Sequence, residues 1–519
     1  AGQIDTGIYV TGAAIVIGIG LLRAFGVVVR RSFAGINNWR TVESLTMLLV
    51  RQIMTQPSIW HKKRMTGDLV ARVGVDSDAA AEVLGPLPFS TSVVLLVFLT
   101  GGWLIIVDIP LGLIAISVIP ILLLLNVGYQ RRIDKHYDTA QHELGALSSA
   151  VHESFDGVMV VKAFGAEDRE TRRLSLISTR LKDARVRAVS ARSTFEALLD
   201  GVPSLVNILL LVVGAMRVES RSMTVGELTS FIYLFTLLIF PLRIIGYVLS
   251  SVPHSASGYK RVREILDEPV VFNPSLLILD APDGVGVALE NVSYAFDEHS
   301  PVVLDSISFR ITAGKTVVIV GATGSGKSTL LAVMAGLLQP SQGRVALAGK
   351  TASIVFQEPF LFSGSIEYNI CLGQQLSKEM IAEALYLSAS DSFVSELANG
   401  TKTMIGERGI SLSGGQRQRI SLARAIAQGA DVLLLDDTTS ALDTVTEAVV
   451  VERLRGASRK VTTVVVASRP STIALADDVL FIEGGKLTDH GPHSALMLSN
   501  ENYRNLMQSF EHDRNEGDV

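Results

Sequence analysis

Residues 321–329 read GATGSGKST, and they follow directly on the β-rich run Thr316–Val320 (TVVIV). A strand that runs into G-x-x-x-x-G-K-[ST] and opens a helix is a phosphate-binding loop. Its glycines let the backbone wrap around phosphates, and the N–H groups of the loop and of the helix N-terminus bind the oxygens. Gly321, Thr323, Gly324, Ser325, Gly326 and Thr329 are therefore expected around a nucleotide. Lys327 should reach its β and γ phosphates, and the Ser328 hydroxyl should ligate Mg²⁺.

Downstream, the apolar run 432–435 ends in Asp436-Asp437, about 110 residues after the loop. An acid at the end of a buried strand at that spacing supports the Mg²⁺, a role that falls to Asp436. Between the two lies Leu412-Ser413-Gly414-Gly415-Gln416, ahead of the helical run RQRISLARA. A serine hydroxyl and two glycine amides at a helix N-terminus make a second anion-binding surface, which suggests a nucleotide clamped between two domains.

These five residues resemble the signature motif of ABC ATPases. The resemblance implies a head-to-tail dimer in which each ATP meets one chain's phosphate loop and the other chain's signature, here Ser413, Gly414, Gly415 and Gln416. It also implies that Gln357, in VFQEP, is the glutamine that binds Mg²⁺ and senses water, and that Phe296 stacks on adenine, with Tyr294, a core residue one strand period earlier, the second candidate. GERG at 406–409 precedes the signature as in exporter-type members, and SALD at 440–443 is similar to the loop that communicates across the dimer. In the first half of the chain, TGDLVAR at 66–72 and VVKAF at 160–164 resemble intracellular loops of exporter-type transporters.

Two positions depart from the family. Asp437 stands where a glutamate usually polarises the attacking water, and Ser468 stands where a histidine usually meets the γ-phosphate. Aspartate sets its carboxylate roughly 1.5 Å further back, and a misplacement of about 1 Å can cost about a hundredfold in rate. Both changes touch hydrolysis and spare the binding loop. The chain resembles the degenerate-site member of a heterodimeric ABC transporter: it binds ATP at a slow site and lends its intact signature to a partner's fast one.

The chain has 519 residues, 48% of them hydrophobic, with the apolar ones crowded into the first half. A net charge of −5 gives no sign of a nucleic-acid partner, and the lone Cys371 excludes an intrachain disulfide. Five apolar stretches, at about 6–29, 86–107, 111–129, 202–216 and 229–249, suit membrane-spanning helices. Only Asp108 and Ile109, before Pro110, lie between the second and the third, a tight hairpin at a membrane face. The linkers 30–85 and 130–201 are long, basic and helical in pattern, as expected of helices extended into the cytoplasm. Five spans ending in a cytoplasmic ATP-binding domain put Ala1 outside, so a first helix is expected to be missing and six to be native.

The fold class expected is a membrane α-helical bundle of the six-helix exporter type plus an α/β ABC-type P-loop ATPase domain. The divisions expected are a transmembrane domain at 1–268, a linker at 269–284, the nucleotide-binding domain at 285–510 and a polar tail at 511–519. The partners expected are a second ABC transporter half, either a separate chain or the rest of a longer polypeptide, the lipid bilayer of the cell membrane, and a small amphipathic cargo. Export is the expected direction. Import of a siderophore-type cargo and a symmetric homodimer are the alternatives. Intramembrane ionisable residues are candidates for cargo contact; here they are Arg23, Arg243 and the pair Glu196/Asp200.

Overall fold

The computed structural model describes residues 6–270, 278–297, 299–406, 409, 411–438, 444–457, 461–467, 469–474 and 476–517. It divides into two compact units: Ala1–Met54 with Met65–Pro269, and Thr55–Arg64 with Val270–Val519.

The first unit is built on five long helices, Thr6–Thr55, Leu87–Val107, Ile109–Asp156, Glu167–Glu219 and Val225–Leu266. Each holds one of the five apolar stretches read from the sequence. The segments Val10–Thr55, Thr66–Val107 and Glu167–Glu219 are long and apolar enough to cross a membrane, and Ile109–Leu122 and Val225–Ile239 are shorter apolar helices. At about 1.5 Å per residue, the 53-residue helix Glu167–Glu219 far exceeds a hydrocarbon core of about 30 Å. Its charged first half therefore continues outside the membrane.

The hairpin is tighter than its sequence suggested, because one helix ends at Val107 and the next starts at Ile109. Asp108 caps the second helix by accepting from the Leu111 N–H at 3.1 Å. The same carboxylate accepts two bonds from the Arg217 guanidinium, at 2.9 and 2.6 Å. Gly112 is required here, since a Cβ would sit 2.8 Å from the Ile105 backbone. Beneath the turn, Leu104, Leu111, Leu210, Phe231 and Phe235 form a buried core. The helix Thr6–Thr55 instead leaves Val16, Leu21, Leu22 and Phe25 open, as a lipid- or partner-facing surface would.

TGDLVAR falls on the helix Thr66–Ala71 and the π-turn Arg72–Asp76 that follows it. Arg261 grips the buried Asp76 carboxylate with two bonds, at 2.8 and 2.6 Å, and Arg72 bonds Glu264 at 3.0 Å. VVKAF lies in and just beyond the short helix Val158–Ala163, with Met159, Val160 and Phe164 exposed. Of the candidate cargo contacts, Arg23 is exposed on its helix. Glu196 pairs with Arg192 at 2.8 Å, so the pair expected with Asp200 is first of all part of a helix-surface ion pair. The side chain of Arg243 lies outside the described residues.

The second unit is an α/β domain of twelve strands among the described residues: β1 (Ile278–Asp280), β2 (Val285–Tyr294), β3 (Leu304–Thr312), β4 (Thr316–Val320), β5 (Gln342–Leu347), β6 (Ala352–Val355), β7 (Gly364–Ser365), β8 (Met404–Ile405), β9 (Val432–Asp436), β10 (Thr462–Val466), β11 (Asp478–Glu483) and β12 (Lys486–Gly491). The main sheet runs β12-β11-β4-β10-β9-β6, and a four-stranded sheet runs β1-β5-β2-β3. In the main sheet β11, β4, β10, β9 and β6 are mutually parallel. Strands β9 and β10 are buried along their whole length, which is why Val432–Leu435 and Val464–Val466 read as apolar runs rather than alternating ones.

Three stretches differ from the expected divisions. β1 pairs with β5 inside the stretch 269–284 expected as linker. Thr55–Arg64 groups with the ATP-binding unit rather than the membrane unit, and the Ser58 hydroxyl donates to the Leu337 carbonyl at 2.6 Å. The helix Glu501–Gly517 carries backbone order into the stretch expected as a polar tail. None of the three carried a periodic signal long enough to assign from sequence.

Candidate nucleotide site

β4 and β9 lie on either side of β10, so their carboxyl ends open side by side at one edge of the sheet. That edge is where open parallel sheets bind ligands. The phosphate loop leaves β4 there and turns into the helix Lys327–Met334. Gly326 takes φ +98°, a conformation that glycine adopts without steric cost. At Gly321 a Cβ would run into the Ile482 carbonyl oxygen.

The loop forms one wall of an open cleft lined also by Gln357, Asp436 and Asp437. The Lys327 ammonium sits in the loop, donating to the carbonyls of Gly321 at 2.7 Å and Ala322 at 2.8 Å. Burial pushes its pKa below the ordinary lysine value, opposed by the nearby Asp437 and Asp436 carboxylates. Ser328 Oγ donates to Asp436 Oδ1 at 2.9 Å, which brings two of the three expected Mg²⁺ ligands together across 108 residues. Burial raises the Asp436 pKa, and the Ser328 bond and Lys327 pull it back. A buried carboxylate and a hydroxyl beside a lysine form a hard-oxygen donor set that fits Mg²⁺.

Asp437 has left-handed backbone, φ +46°. Its N–H donates to the Val466 carbonyl at 3.1 Å, and its Oδ2 accepts from Gln357 Nε2 at 3.3 Å. The two residues expected to handle water thus meet within the cleft. Phe296 is 41% exposed while Tyr294 is buried, and the rings meet edge to face with centroids 5.3 Å apart. The free face of Phe296 is open to a base. Ser468 and residues 440–443 lie outside the described residues, as do Glu407 and Arg408 of GERG.

The signature residues do not line this cleft. Ser413 caps the helix Gly414–Ala427: its Oγ accepts from the Gln416 N–H at 3.2 Å, and Gln416 Oε1 accepts from the Ser413 N–H at 3.0 Å. The helix N-terminus is left facing outward, with Ser413 exposed and Gly414 and Gly415 partly so. Val303, Val466, Ala467 and Phe510 also line the cleft and escaped the sequence reading. Apolar residues from three separate segments carry no motif. Only the place of Val466 and Ala467, at the end of an apolar run, hinted at it.

Residues 8–242 match the family of ABC transporter transmembrane regions, and residues 304–440 match the ABC transporter family. The chain is 30% identical over 492 residues to the probable multidrug resistance ABC transporter ATP-binding/permease protein YheI of Bacillus subtilis (strain 168), covering 91% of this chain and 83% of that protein. It is 32% identical over 455 residues to the multidrug efflux ATP-binding/permease protein of Mycobacterium bovis (strain BCG / Pasteur 1173P2), covering 85% of this chain but only 38% of that protein. To the ATP-dependent lipid A-core flippase of Idiomarina loihiensis (strain ATCC BAA-735 / DSM 15497 / L2-TR) it is 28% identical over 513 residues, covering 95% and 87%. The fold matches the structure of a bacterial Atm1-family ABC exporter with ATP bound, at a TM-score of 0.81 and 24% identity, covering 98% of this chain and 93% of that one.

This chain belongs to the ABC transporter family. It is a half-transporter of exporter fold, a multi-pass membrane protein whose ATP-binding domain is cytoplasmic and powers transport.

Proposed function

We propose that the chain is the degenerate-site half of a heterodimeric exporter of amphipathic or lipophilic solutes. The observation that carries this is the pairing of an intact phosphate loop with Asp437 in the place of the water-polarising acid. Lys327, Ser328 and Asp436 converge as a binding site needs. Asp437 is one methylene short and is engaged by Gln357. ATP held there is gripped and turned over slowly. Mg²⁺, when bound with the nucleotide, supplies charge neutralisation at the β and γ phosphates. Ser328, Asp436 and Gln357 would hold it. Lys327 binds the same phosphates, Phe296 stacks on the base, and Asp437 orients water from too far back.

The outward-facing signature at Ser413–Gln416 would complete the partner's site, where a full-length glutamate would polarise the water. Exposed Met159, Val160 and Phe164 offer an apolar surface for a second half. That half is a separate chain or lies in the same polypeptide; the Mycobacterium relative, 38% covered, has room for two such halves. The cargo class rests on the apolar helix surfaces and on the names of the relatives, two for multidrug transport and one for a lipid A-core flippase.

The test is ATP turnover by the purified full chain in lipid nanodiscs, with and without the partner that co-purifies with it. The proposal requires ATP binding with little turnover alone and rapid turnover on assembly. Vigorous hydrolysis by the chain alone sinks the degenerate-site reading.

A further inference from the structure

The signature helix Gly414–Ala427 hydrogen-bonds to the segment that carries Gln357 at two points. At its far end, Arg424 donates to the Asn369 carbonyl, the Phe360 carbonyl and Asn369 Oδ1, each at 2.8 Å. Asn369, fully buried, in turn donates to the carbonyls of Phe362 and Ser365. Near its start, Gln418 donates from Nε2 to the Phe356 carbonyl at 3.3 Å. Phe356 is the residue immediately before Gln357. Arg424 therefore fixes the outer part of the segment, and Gln418 is the contact that reaches its active-site end.

Gln418 is an unexpected residue for its surroundings. It is 1% exposed and lines a small, mainly apolar pocket with Leu422, Leu435, Val450, Val465, Thr438 and Thr472. Its Oε1 has no hydrogen-bond partner among the described residues. A buried acceptor left unpaired costs about 1–3 kcal/mol, and a methionine or leucine would fill this space without that cost. Fold stability alone does not call for an amide here. What only an amide supplies is the bond to the Phe356 backbone.

We propose that Gln418 is a positioning residue for Gln357, tying the signature helix to the backbone that aims the Gln357 side chain at the Mg²⁺–ATP site. The proposal rests on the ATP-site reading given above and goes beyond it. The helix that presents Ser413–Gln416 to a partner's ATP also holds, through Gln418, the glutamine that faces this chain's own ATP. Movement of that helix as the dimer closes would then be felt at Asp437 and Gln357 through one hydrogen bond.

The test uses the full chain in nanodiscs and Gln418→Met, which keeps the volume and removes the donor. The first readout needs no nucleotide: amide hydrogen exchange of the peptide covering residues 352–362 should speed up in the variant. The second is the Mg²⁺ concentration that half-saturates retention of labelled ATP, which should rise about fivefold, in the range of one lost hydrogen bond. In a Gln357→Ala background the same substitution should add nothing, because its effect passes through Gln357. Gln418→Leu serves if the methionine variant does not fold. An equal rise in both backgrounds, or unchanged exchange at 352–362, overturns the positioning role. Absence of Mg²⁺-dependent ATP retention in the unmodified chain overturns instead the ATP-site reading, and the proposal with it.

Discussion

Replacing Asp437 with glutamate adds one methylene at the position proposed to polarise water. The backbone there is held by the Asp437 N–H bond to Val466, so the extra length projects into the cleft rather than moving the chain. The carboxylate advances by roughly 1.5 Å. If about 1 Å of misplacement costs about a hundredfold, the substitution should raise single-turnover hydrolysis at this site about 10- to 100-fold, or about 1.4–2.7 kcal/mol in the barrier. The upper end requires that Ser468 not become limiting. A small stability cost accompanies the gain, because φ +46° suits aspartate better than glutamate. The assay is rapid mixing of the full chain with a stoichiometric amount of labelled ATP and Mg²⁺, followed by acid quench. A rate within threefold of the unmodified chain, with ATP retention intact, refutes the claim that carboxylate reach limits this site.

Other outcomes follow from the same structure. Phe296→Ala should weaken ATP binding about five- to tenfold, the loss of one base-stacking surface, read by titration with a fluorescent nucleotide. Asp108→Ala removes a helix cap and leaves Arg217 without its buried partner, which should lower stability by about 2 kcal/mol; Asp108→Asn keeps the cap acceptor and should cost less, measured as thermal midpoints in detergent. Tyr503 is fully buried against Phe481 and bonded to His493 Nδ1 at 2.7 Å, and burial pushes its pKa from 10 up to about 12. Its protonated form therefore supports the fold fully below pH 10, and that support is lost as pH rises from 10 through 12. Tyr503→Phe should flatten the alkaline fall in the unfolding midpoint over that window.

The chemistry of the ATP-binding unit was legible because each element is a strand end or helix start with a fixed residue demand. The loop at Gly321–Thr329 and the acid Asp436 could be paired from sequence alone, and the structure brings them within 2.9 Å. The spans were legible because lipid requires long apolar runs. What escaped has no local signature. β1 has only three residues and is a strand only because β5 lies beside it. Thr55–Arg64 is short and polar, and only tertiary packing assigns it to the ATP-binding unit. Gln418 sits in RQRISLARA like any polar helix residue, and its burial depends on a segment about 60 positions earlier in the chain.

The central claim is that one chain contributes to two unequal sites, and steady-state ATPase of the heterodimer assembled with the co-purifying partner tests it most directly. Three preparations suffice: unmodified, Gly415→Asp and Asp437→Asn. Gly415 belongs to the outward-facing signature, where a carboxylate would repel the partner's γ-phosphate and block closure. Asp437 belongs to the site proposed to be slow. The account predicts that Gly415→Asp abolishes turnover and Asp437→Asn leaves most of it. If Asp437→Asn is the more damaging change, Asp437 is a working base and the asymmetry is wrong.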